Sequence, residues 1–288
     1  MSVCKIIDTF PAFLEWWEKG RRLPFEEQLN GWEKDYMAGW PELRQKQLDS
    51  YAEDKADWRQ AAGERVLPYL SERVPAMQEA HQNLQTSCLP VYEKAKKTLV
   101  FDFPLITVFY VGIGVGAGWA TTYQNTPAVL CGLENIAECG WSGGEAIKGL
   151  LAHELGHLIQ YHWRGQTKVF AAANPWRRLL EEGFAQRCEV LITGRLFHQT
   201  AGVNTGDWLE WCQNHKSWLA AEFLKTVEAG KSTAAFFGSW IKIQGKSETG
   251  YFLGHEVVKE LEKNLSLKEI ALLDDYEVSL KPILEGLK

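Results

Sequence analysis

Two histidines four residues apart, His153 and His157, stand in a stretch of sequence that we predict to be helical. On an α-helix such residues lie one above the other, with Cβ atoms about 5–6 Å apart. This separation lets two imidazole rings reach one zinc ion at about 2.0–2.1 Å each. Glu154 lies about 100° further round the helix, too far to be a natural third ligand but well placed to meet a water on the metal. The segment therefore predicts two metal ligands and a general base on one helix, and a fold that brings a third ligand to them.

The sequence around the two histidines predicts the helix that they need. Ser142 and Glu145 have the spacing of a capping box, so the helix should begin near Gly143. Apolar residues then recur at helical spacing, no proline interrupts them, and Gly165 is a suitable terminator. We predict an active-site helix over residues 143–162. The alternative is a pair of surface histidines that bind no metal.

A catalytic zinc ion has three protein ligands and an open fourth position. Asn174 and Pro175 predict the start of a second helix over residues 175–193, which contains Glu181 and Glu182. The four residues from Glu182 onward, Glu-Gly-Phe-Ala, resemble the gluzincin clan of zinc peptidases. In that clan the third ligand is a glutamate followed by a small residue, an aromatic or aliphatic residue and alanine.

The resemblance to the gluzincin clan implies that Glu182 is the third zinc ligand and that Glu181 is its neighbour. Apart from the resemblance, we expect Glu181 to lie on a solvated helix face. The gap between His157 and Glu182 is longer than is usual in the clan, and a loop over residues 164–173 should accommodate the extra residues. The alternative is that both glutamates lie on a solvated helix face.

More narrowly, the chain resembles a family of predicted zinc-dependent proteases, mostly bacterial. The resemblance covers roughly residues 100–275 and rests on five ordered pieces, at residues 106–112, 129–134, 150–158, 180–185 and 250–254. It implies an α+β, mostly helical protein with a zincin-like catalytic domain and one zinc ion per chain. It also implies a zinc metallopeptidase that hydrolyses a peptide or protein substrate, and we expect an endopeptidase.

The patterning divides the chain into two regions. Residues 1–98 have helical patterning. β-Branched and aromatic runs separated by Gly, Pro and Asn then predict a small twisted sheet within residues 99–134, with strands at 99–103, 106–112, 119–123 and 128–133. After the two helices of the site, C-terminal helices are predicted over residues 207–286. The predicted domains are therefore a helical N-terminal region, residues 1–98, and a zincin-like domain, residues 99–288.

The strand before the motif helix forms the edge of the cleft in zincin folds, and the resemblance implies the same here. We assign it to residues 128–134, because an edge strand offers main-chain N–H and C=O groups to an extended peptide. Its end, from Gly132 to Asn135, is similar to the Gly-x-Met-Glu-Asn of aminopeptidases, in which the glutamate binds the substrate's amino group. One alternative is thus an aminopeptidase that uses Glu134. Another makes Glu134 a surface carboxylate at the end of a strand.

The predicted chemistry suggests roles for several other polar residues near the proposed zinc site. Glu154 should take a proton from the attacking water and return it to the leaving amine. Tyr251 and His255 are candidates for stabilising the oxyanion, with a packed core tyrosine and a surface histidine as the alternative. Gln186 and Glu189 share the face of Glu182 and could orient a ligand histidine. Structural or ordinary roles, without ligand-like neighbours, are expected for His81, His162, His198 and His215.

Composition limits the partners and the location. The net charge of −6 and the lack of a basic run argue against nucleic acid as a partner. Residues 105–120 are uncharged but fewer than the ~20 that a membrane-spanning helix needs, so a strand is expected and no membrane association. Six cysteines without framework spacing, and an N-terminus interrupted by Asp8, Glu15 and Glu18, predict reduced thiols in a cytoplasmic protein.

Three further interpretations bear on the function. The glycines at 112, 114, 116 and 118 resemble a nucleotide loop, but no Gly-Lys-Ser/Thr follows them. A non-catalytic zinc-binding regulatory module stays open, although a structural zinc site has no use for Glu154. A membrane-docked peptidase lacks the long apolar helices that it would need. The sequence does not predict the oligomeric state.

Overall fold

The computed structural model describes residues 3–53, 55–166, 174–195, 198–201, 206–239 and 241–287. These residues form an α+β, mostly helical protein with one four-stranded sheet, which confirms the predicted fold class at this level. The chain forms two compact units: unit one has residues 1–92 and 102–148, and unit two has residues 93–101 and 149–288. This partition differs from the predicted division into residues 1–98 and 99–288.

Unit one contains the sheet, together with helices that precede and follow it in the chain. The elements that begin in it are β1 (Cys4–Asp8), α1 (Phe10–Gly20), α2 (Phe25–Gly31), α3 (Pro41–Glu53), α4 (Trp58–Ala61), α5 (Leu70–Leu99), β2 (Leu105–Tyr110), β3 (Gly118–Tyr123), β4 (Thr126–Gly132), α6 (Leu133–Cys139) and α7 (Gly144–Trp163). The last residues of α5 and most of α7 belong to unit two.

The sheet has the strand order β1-β2-β4-β3, with β1, β2 and β4 parallel and β3 antiparallel to β4. β2 lies inside the sheet and all six of its residues are buried, as its unbroken apolar sequence predicts. The prediction that residues 1–98 are helical is wrong for β1, which pairs with β2 from Cys4 opposite Leu105 to Asp8 opposite Phe109. This strand of five residues forms through a partner about a hundred residues away, which local patterning does not reveal.

The predicted strand over residues 99–103 is wrong. α5 continues to Leu99, and Val100 takes a left-handed backbone conformation with φ of +49°. The N–H of Val100 still donates to the carbonyl of Lys96, so the β-branched residue ends the helix. The aromatic side chains of Phe101 and Phe103 are buried, which explains an apolar run without strand geometry.

The assignment of residues 128–134 to an edge strand is also wrong. β4 hydrogen-bonds β2 on one side and β3 on the other, so its main chain has no free edge for a peptide. The last two residues of the predicted strand, Leu133 and Glu134, open helix α6. The edge strand on this side of the sheet is β3.

Unit two is helical in the residues that the structure describes. After α7 it contains α8 (Pro175–Thr193), α9 (Trp208–Asn214), α10 (Lys216–Glu228), α11 (Ala234–Phe237), α12 (Thr249–Leu261), α13 (Leu267–Ala271) and α14 (Tyr276–Gly286). Residues 198–201 form one turn of 3₁₀-helix. The predicted loop over residues 164–173 lies outside the described residues from position 167 onward.

Glycines let three helices of unit two approach closely. A Cβ added to Gly156 of α7 would stand 2.8 Å from the Cα of Ala185 in α8. A Cβ at Gly183 of α8 would overlap the carbonyl group of Gly254 in α12. Backbone therefore packs against backbone at both crossings, and α8 is held between α7 and α12.

The ends of α7 and α8 follow the predictions in part. The side chain of Asn174 accepts hydrogen bonds from the N–H groups of Trp176 and Arg177, and Gly194 ends α8 with φ of +76°, as predicted. α7 begins at Gly144, but the predicted capping box is wrong, because the Ser142 hydroxyl has no hydrogen-bond partner among the described residues.

Two global predictions can be compared with the structure. No helix among the described residues has both the length and the apolar composition needed to cross a membrane. All six cysteines are free thiols, as predicted.

Candidate metal centre

His153 and His157 lie in the middle of α7 and are almost fully buried, with 4% and 9% of their surfaces exposed. Their ring centroids are 4.9 Å apart and the ring planes cross at 83°. Both Nε2 atoms face the same carboxylate oxygen, Oε2 of Glu182 on α8, at 3.4 Å from His153 and 3.5 Å from His157. The structure therefore brings together the three predicted ligands.

The spacing of the donor atoms fits a zinc ion. Ligand bonds of 2.0–2.1 Å at the tetrahedral angle place two ligand atoms about 3.3–3.4 Å apart. The distances of 3.4 and 3.5 Å to Glu182 match that spacing, and the donor atoms of all three residues lie within 4.8 Å of one another. Two imidazoles and one carboxylate form the set of three protein ligands typical of a catalytic zinc site.

The electrostatics also favour positive charge between these three side chains. Burial by itself would raise the pKa of Glu182, but hydrogen bonds and charge from His153 and His157 hold it well below the usual range. Burial by itself would lower the pKa of His157, but the hydrogen bond and charge of Glu182 raise that pKa to about 9. The carboxylate thus stays ionised and attracts a cation to its face.

Glu154, the predicted general base, is buried beside these ligands, with 7% of its surface exposed. Its negative charge is among the causes that raise the pKa of His157, so the carboxylate acts electrostatically on the ligand set. Among the described residues, no hydrogen bond or ion pair engages the Glu154 carboxylate. Its oxygens are therefore available to a water or a substrate.

Tyr251 of α12 lies against the ligand set. Its ring centroid is 5.8 Å from that of His153, at an interplanar angle of 51°. Burial, and then the charges of Glu182 and Glu248, raise the pKa of the phenol well above its usual value. The hydroxyl therefore keeps its proton at neutral pH and is a hydrogen-bond donor.

His255, the other oxyanion candidate, is buried, so the alternative of a surface histidine is wrong. Its Nδ1 lies 3.4 Å from Oε1 of Glu256. That carboxylate also pairs with Lys216 and Lys259, and its contact with His255 is the largest of the causes that lower its pKa to about 2. These contacts tie His255 to an ion-pair group on α12 and α10, whereas Tyr251 contacts a zinc-ligand candidate.

Glu181 does not lie on a solvated face, and that prediction is wrong. Its side chain is buried and accepts a hydrogen bond of 2.7 Å from Nε of Arg177, one turn earlier on α8. Burial raises the pKa of Glu181, and Arg177 opposes the shift. Glu181 is thus buried and pairs with a cation of its own helix, whereas Glu182 is partly exposed and faces the two histidines.

The histidine whose role the sequence analysis missed is His198. It is buried, and its Nδ1 lies 2.8 Å from Oε2 of Glu189, which in turn lies 4.0 Å from Nδ1 of His153. Gln186 donates a hydrogen bond of 2.6 Å to Oε2 of Glu189 and makes no direct contact with a ligand histidine. Burial by itself would raise the pKa of Glu189, but the charge and hydrogen bonds of His198 lower it. No spacing in the sequence links His198 to α7 or α8, because it lies beyond the end of α8 and meets these helices only in the tertiary structure.

The predictions for the other three histidines agree with the structure only in part. His81 was expected to lack ligand-like neighbours, which is wrong, since its Nε2 lies 2.7 Å from Oδ2 of Asp8. His215 stacks on Trp211 at 4.2 Å and its Nδ1 lies 2.8 Å from the carbonyl of the same residue, an ordinary structural role. His162 is exposed at the end of α7.

Glu134 belongs to unit one and is not a surface carboxylate, which corrects that prediction. It is fully buried at 0% exposure, and its Oε1 accepts a hydrogen bond from the N–H of Gly114. Burial raises the pKa of Glu134 to about 7, although the N–H groups of Gly112 and Gly114 oppose the shift. No face of the side chain is open to a substrate's amino group.

Comparisons of the chain with models of protein families, with curated proteins and with solved structures found no match. The likeness to zinc-dependent proteases therefore rests on the motif residues alone, and a functional proposal rests on the geometry of the metal centre.

Proposed function

We propose that this protein is a zinc-dependent peptidase, and an endopeptidase in particular. The observation that carries the proposal is the convergence of the Nε2 atoms of His153 and His157 on one oxygen of Glu182 at the spacing of zinc ligands. The resemblance of these residues to the gluzincin clan supports it. The proposed substrate is a peptide or protein. Cytoplasmic location and the absence of a nucleic-acid or membrane partner remain predictions from composition.

The three ligand candidates would hold one zinc ion per chain. A zinc ion held in this way polarises a carbonyl oxygen and lowers the pKa of a bound water to about 7. Glu154 accepts the proton of the attacking water and delivers it to the leaving amine, so a single carboxylate acts first as base and then as acid. Its buried position, with no other described partner, suits this role.

Tyr251 is the proposed donor to the carbonyl oxygen of the substrate as negative charge develops there. Its ring contact with His153 supports this role, and its raised pKa keeps the hydroxyl protonated. A donor of this kind stabilises the transition state more than the ground state, because the charge that it meets appears only in the reaction. His255, which pairs with Glu256, has no comparable support.

An endopeptidase is favoured over the aminopeptidase alternative by the state of Glu134. An aminopeptidase would need that carboxylate to be accessible and charged in order to bind a substrate ammonium group. Glu134 is instead fully buried, bonded to the Gly114 N–H, and has a pKa raised to about 7.

The proposal is tested by measuring zinc content and hydrolysis for Glu154→Gln. The variant should retain about one zinc ion per chain and cleave an unstructured peptide library 10²–10⁴-fold more slowly, roughly the contribution of general acid–base catalysis. Glu145→Gln is the matched control, because Glu145 is an exposed residue of the same helix that pairs with Lys148. The control should behave like the wild type in both assays.

Two results would contradict the proposal. Full turnover by Glu154→Gln would remove the general base. A wild-type protein that binds zinc and cleaves no peptide in the library would favour a non-catalytic zinc-binding module. The positions of the cuts relative to the amino terminus separate an endopeptidase from an aminopeptidase.

A further inference from the structure

Glu189 lies on the same helix as Glu182, two turns later, so both carboxylates project from one face of α8. Glu182 faces Nε2 of His153, and Oε2 of Glu189 lies 4.0 Å from Nδ1 of the same ring. Glu189 provides the only carboxylate oxygen within this distance of that Nδ1 among the described residues. The imidazole of His153 thus lies between two carboxylates, although its Nδ1 makes no hydrogen bond among the described residues.

The carboxylate of Glu189 is itself fixed by three N–H donors. Oε1 accepts the backbone N–H of His198 at 2.6 Å. Oε2 accepts the side-chain amide of Gln186 at 2.6 Å and lies 2.8 Å from Nδ1 of His198. The side-chain amide of Gln199 in turn donates a hydrogen bond of 3.1 Å to Oε1 of Gln186.

His198 contributes two of these three donors and reaches the metal centre from outside α7 and α8, as Tyr251 of α12 also does. Its ring is buried, and the centroid is 5.4 Å from that of His153 at an angle of 68°. Gly149, one turn before His153, makes room for it, because a Cβ there would stand 2.6 Å from the Cβ of His198. His198 therefore touches both the fixed carboxylate and the ring that the carboxylate faces.

We propose that His198 is a positioning residue of the metal centre: by holding Glu189 through its backbone N–H and its Nδ1, it fixes the orientation of the His153 imidazole toward the metal. This inference rests on the proposed zinc site but not on peptidase activity. A ligand imidazole whose second nitrogen faces a fixed carboxylate loses less freedom when the metal binds.

A second metal ion is the competing use of these residues, since donor atoms of His153, Glu189 and His198 lie within 4.8 Å of one another. The hydrogen bonds favour positioning. Nδ1 of His198 faces a carboxylate oxygen at hydrogen-bond distance, where it acts as a donor, and a nitrogen that donates N–H has no lone pair for a metal. Both oxygens of Glu189 already accept N–H groups.

The test compares three variants in zinc affinity, measured by competition with a chromogenic chelator, and in the visible absorption of the Co²⁺-substituted protein. His198→Leu removes the Nδ1 donor and should weaken zinc binding about tenfold, within the 10–100-fold range of outer partners of metal ligands, with altered Co²⁺ bands. His198→Asn keeps an N–H donor near the position of Nδ1 and should recover most of the affinity. His162→Gln changes an exposed histidine of α7 and should leave both readouts unchanged.

Thermal unfolding of the metal-free proteins establishes that each variant is folded, and if His198→Leu is not, the comparison of His198→Asn with Glu189→Gln replaces it. Wild-type affinity and Co²⁺ bands in His198→Leu would overturn the inference. So would a second zinc ion in the wild type that His198→Leu loses. Weaker zinc binding in a protein that cleaves no peptide would uphold the positioning role while the peptidase proposal fails.

Discussion

Glu134 of unit one and two carboxylates of unit two, Glu182 and Glu189, are in opposite electrostatic states. In unit one, burial raises the pKa of Glu134 to about 7, and the groups that oppose the shift are chiefly backbone N–H donors. In unit two, the pKa values of Glu182 and Glu189 are lowered although both groups are withdrawn from solvent. The difference lies in their partners, which are imidazoles in unit two.

This difference shows that burial sets the free-energy cost of ionising a carboxyl group, whereas the neighbouring groups decide whether the carboxyl group stays ionised. Near Glu134, the side chains of Gln47 and Tyr110 crowd Gly112 together with the carboxylate, and the charge of Arg73 is the smallest of the causes that oppose the raised pKa. Such surroundings suit a neutral acid that supports the fold. Glu182 and Glu189 are held ionised, and an ionised group that faces two imidazole nitrogens, as Glu182 does, is what a cation site requires.

The strongest test of the comparison removes the charge that faces the imidazoles. Glu182→Gln should weaken zinc binding roughly 10³-fold, because one of three protein ligands loses its charge and a structural zinc site is worth about 10–16 kcal/mol in total. The measurement is zinc affinity by chelator competition, with hydrolysis followed in parallel. Glu181→Gln is the matched control, since the adjacent carboxylate pairs with Arg177 and not with the histidines.

Equal zinc affinity in the wild type and Glu182→Gln would mean that another residue is the third ligand. The ionised state of Glu182 would then not distinguish the metal centre from the surroundings of Glu134. Loss of zinc in both glutamine variants would instead point to general damage to α8, which the unfolding transition of the metal-free proteins would reveal.

The next test concerns the Tyr251 hydroxyl, whose pKa is raised by burial first and then by the charges of Glu182 and Glu248. Tyr251→Phe removes the donor and should lower kcat about 10²–10³-fold, the usual loss for one oxyanion donor, while zinc affinity stays within a few fold of wild type. His255→Gln, one turn later on the same helix, should have a much smaller effect on kcat. The reverse ranking of the two variants would exchange their roles.

The sequence was most informative where chemistry and local structure coincide. The spacing of His153 and His157 predicted two imidazoles on one helix face, and Asn174 and Gly194 predicted both ends of the helix that carries Glu182. These inferences need only the helical repeat and the chemistry of helix caps.

The failures arose where distant segments meet. β1 exists because it pairs with β2 across about a hundred residues, and β4 is an inner strand because it pairs with β2 as well as with β3, its hairpin partner. His198 joins the metal centre for the same reason, since its position depends on the path of the chain after α8. The burial of Glu134 was not predicted because the sequence around it is equally compatible with a surface turn. Patterns of period two or 3.6 report none of these tertiary contacts.

A smaller effect is expected from the neutral acid of unit one. Because the pKa of Glu134 is raised from 4.5 to about 7 on folding, the folded state binds a proton that the unfolded state releases between these values. Protonated Glu134 therefore contributes its full share of the free energy of unfolding below about pH 4.5. This contribution, at most roughly 3 kcal/mol, is lost as the pH rises through about 7. Urea unfolding at a series of pH values should show this decline in the wild type.

Glu134→Gln should remove that part of the pH dependence, because an amide does not titrate. The difference between the two unfolding curves isolates the contribution of Glu134 from that of the histidines. Parallel curves would mean that Glu134 is ionised in the folded protein, and the contrast between the units would disappear.

The smallest expected effect tests how tightly unit two fixes its charged network. A Cβ at Gly149 would stand 2.8 Å from Oε1 of Glu189 and 2.6 Å from the Cβ of His198, so Gly149→Ala must displace both groups. Zinc affinity should fall three- to tenfold, below the full effect of losing an outer partner. Gly143→Ala, with no atom within 4 Å of the added Cβ, is the control for alanine in place of glycine at this helix. Unchanged zinc affinity in Gly149→Ala would show that the hydrogen bonds around Glu189 adapt to its displacement. The metal centre would then not need a fixed Glu189 carboxylate, and the contrast with Glu134 of unit one would lose its meaning for metal binding.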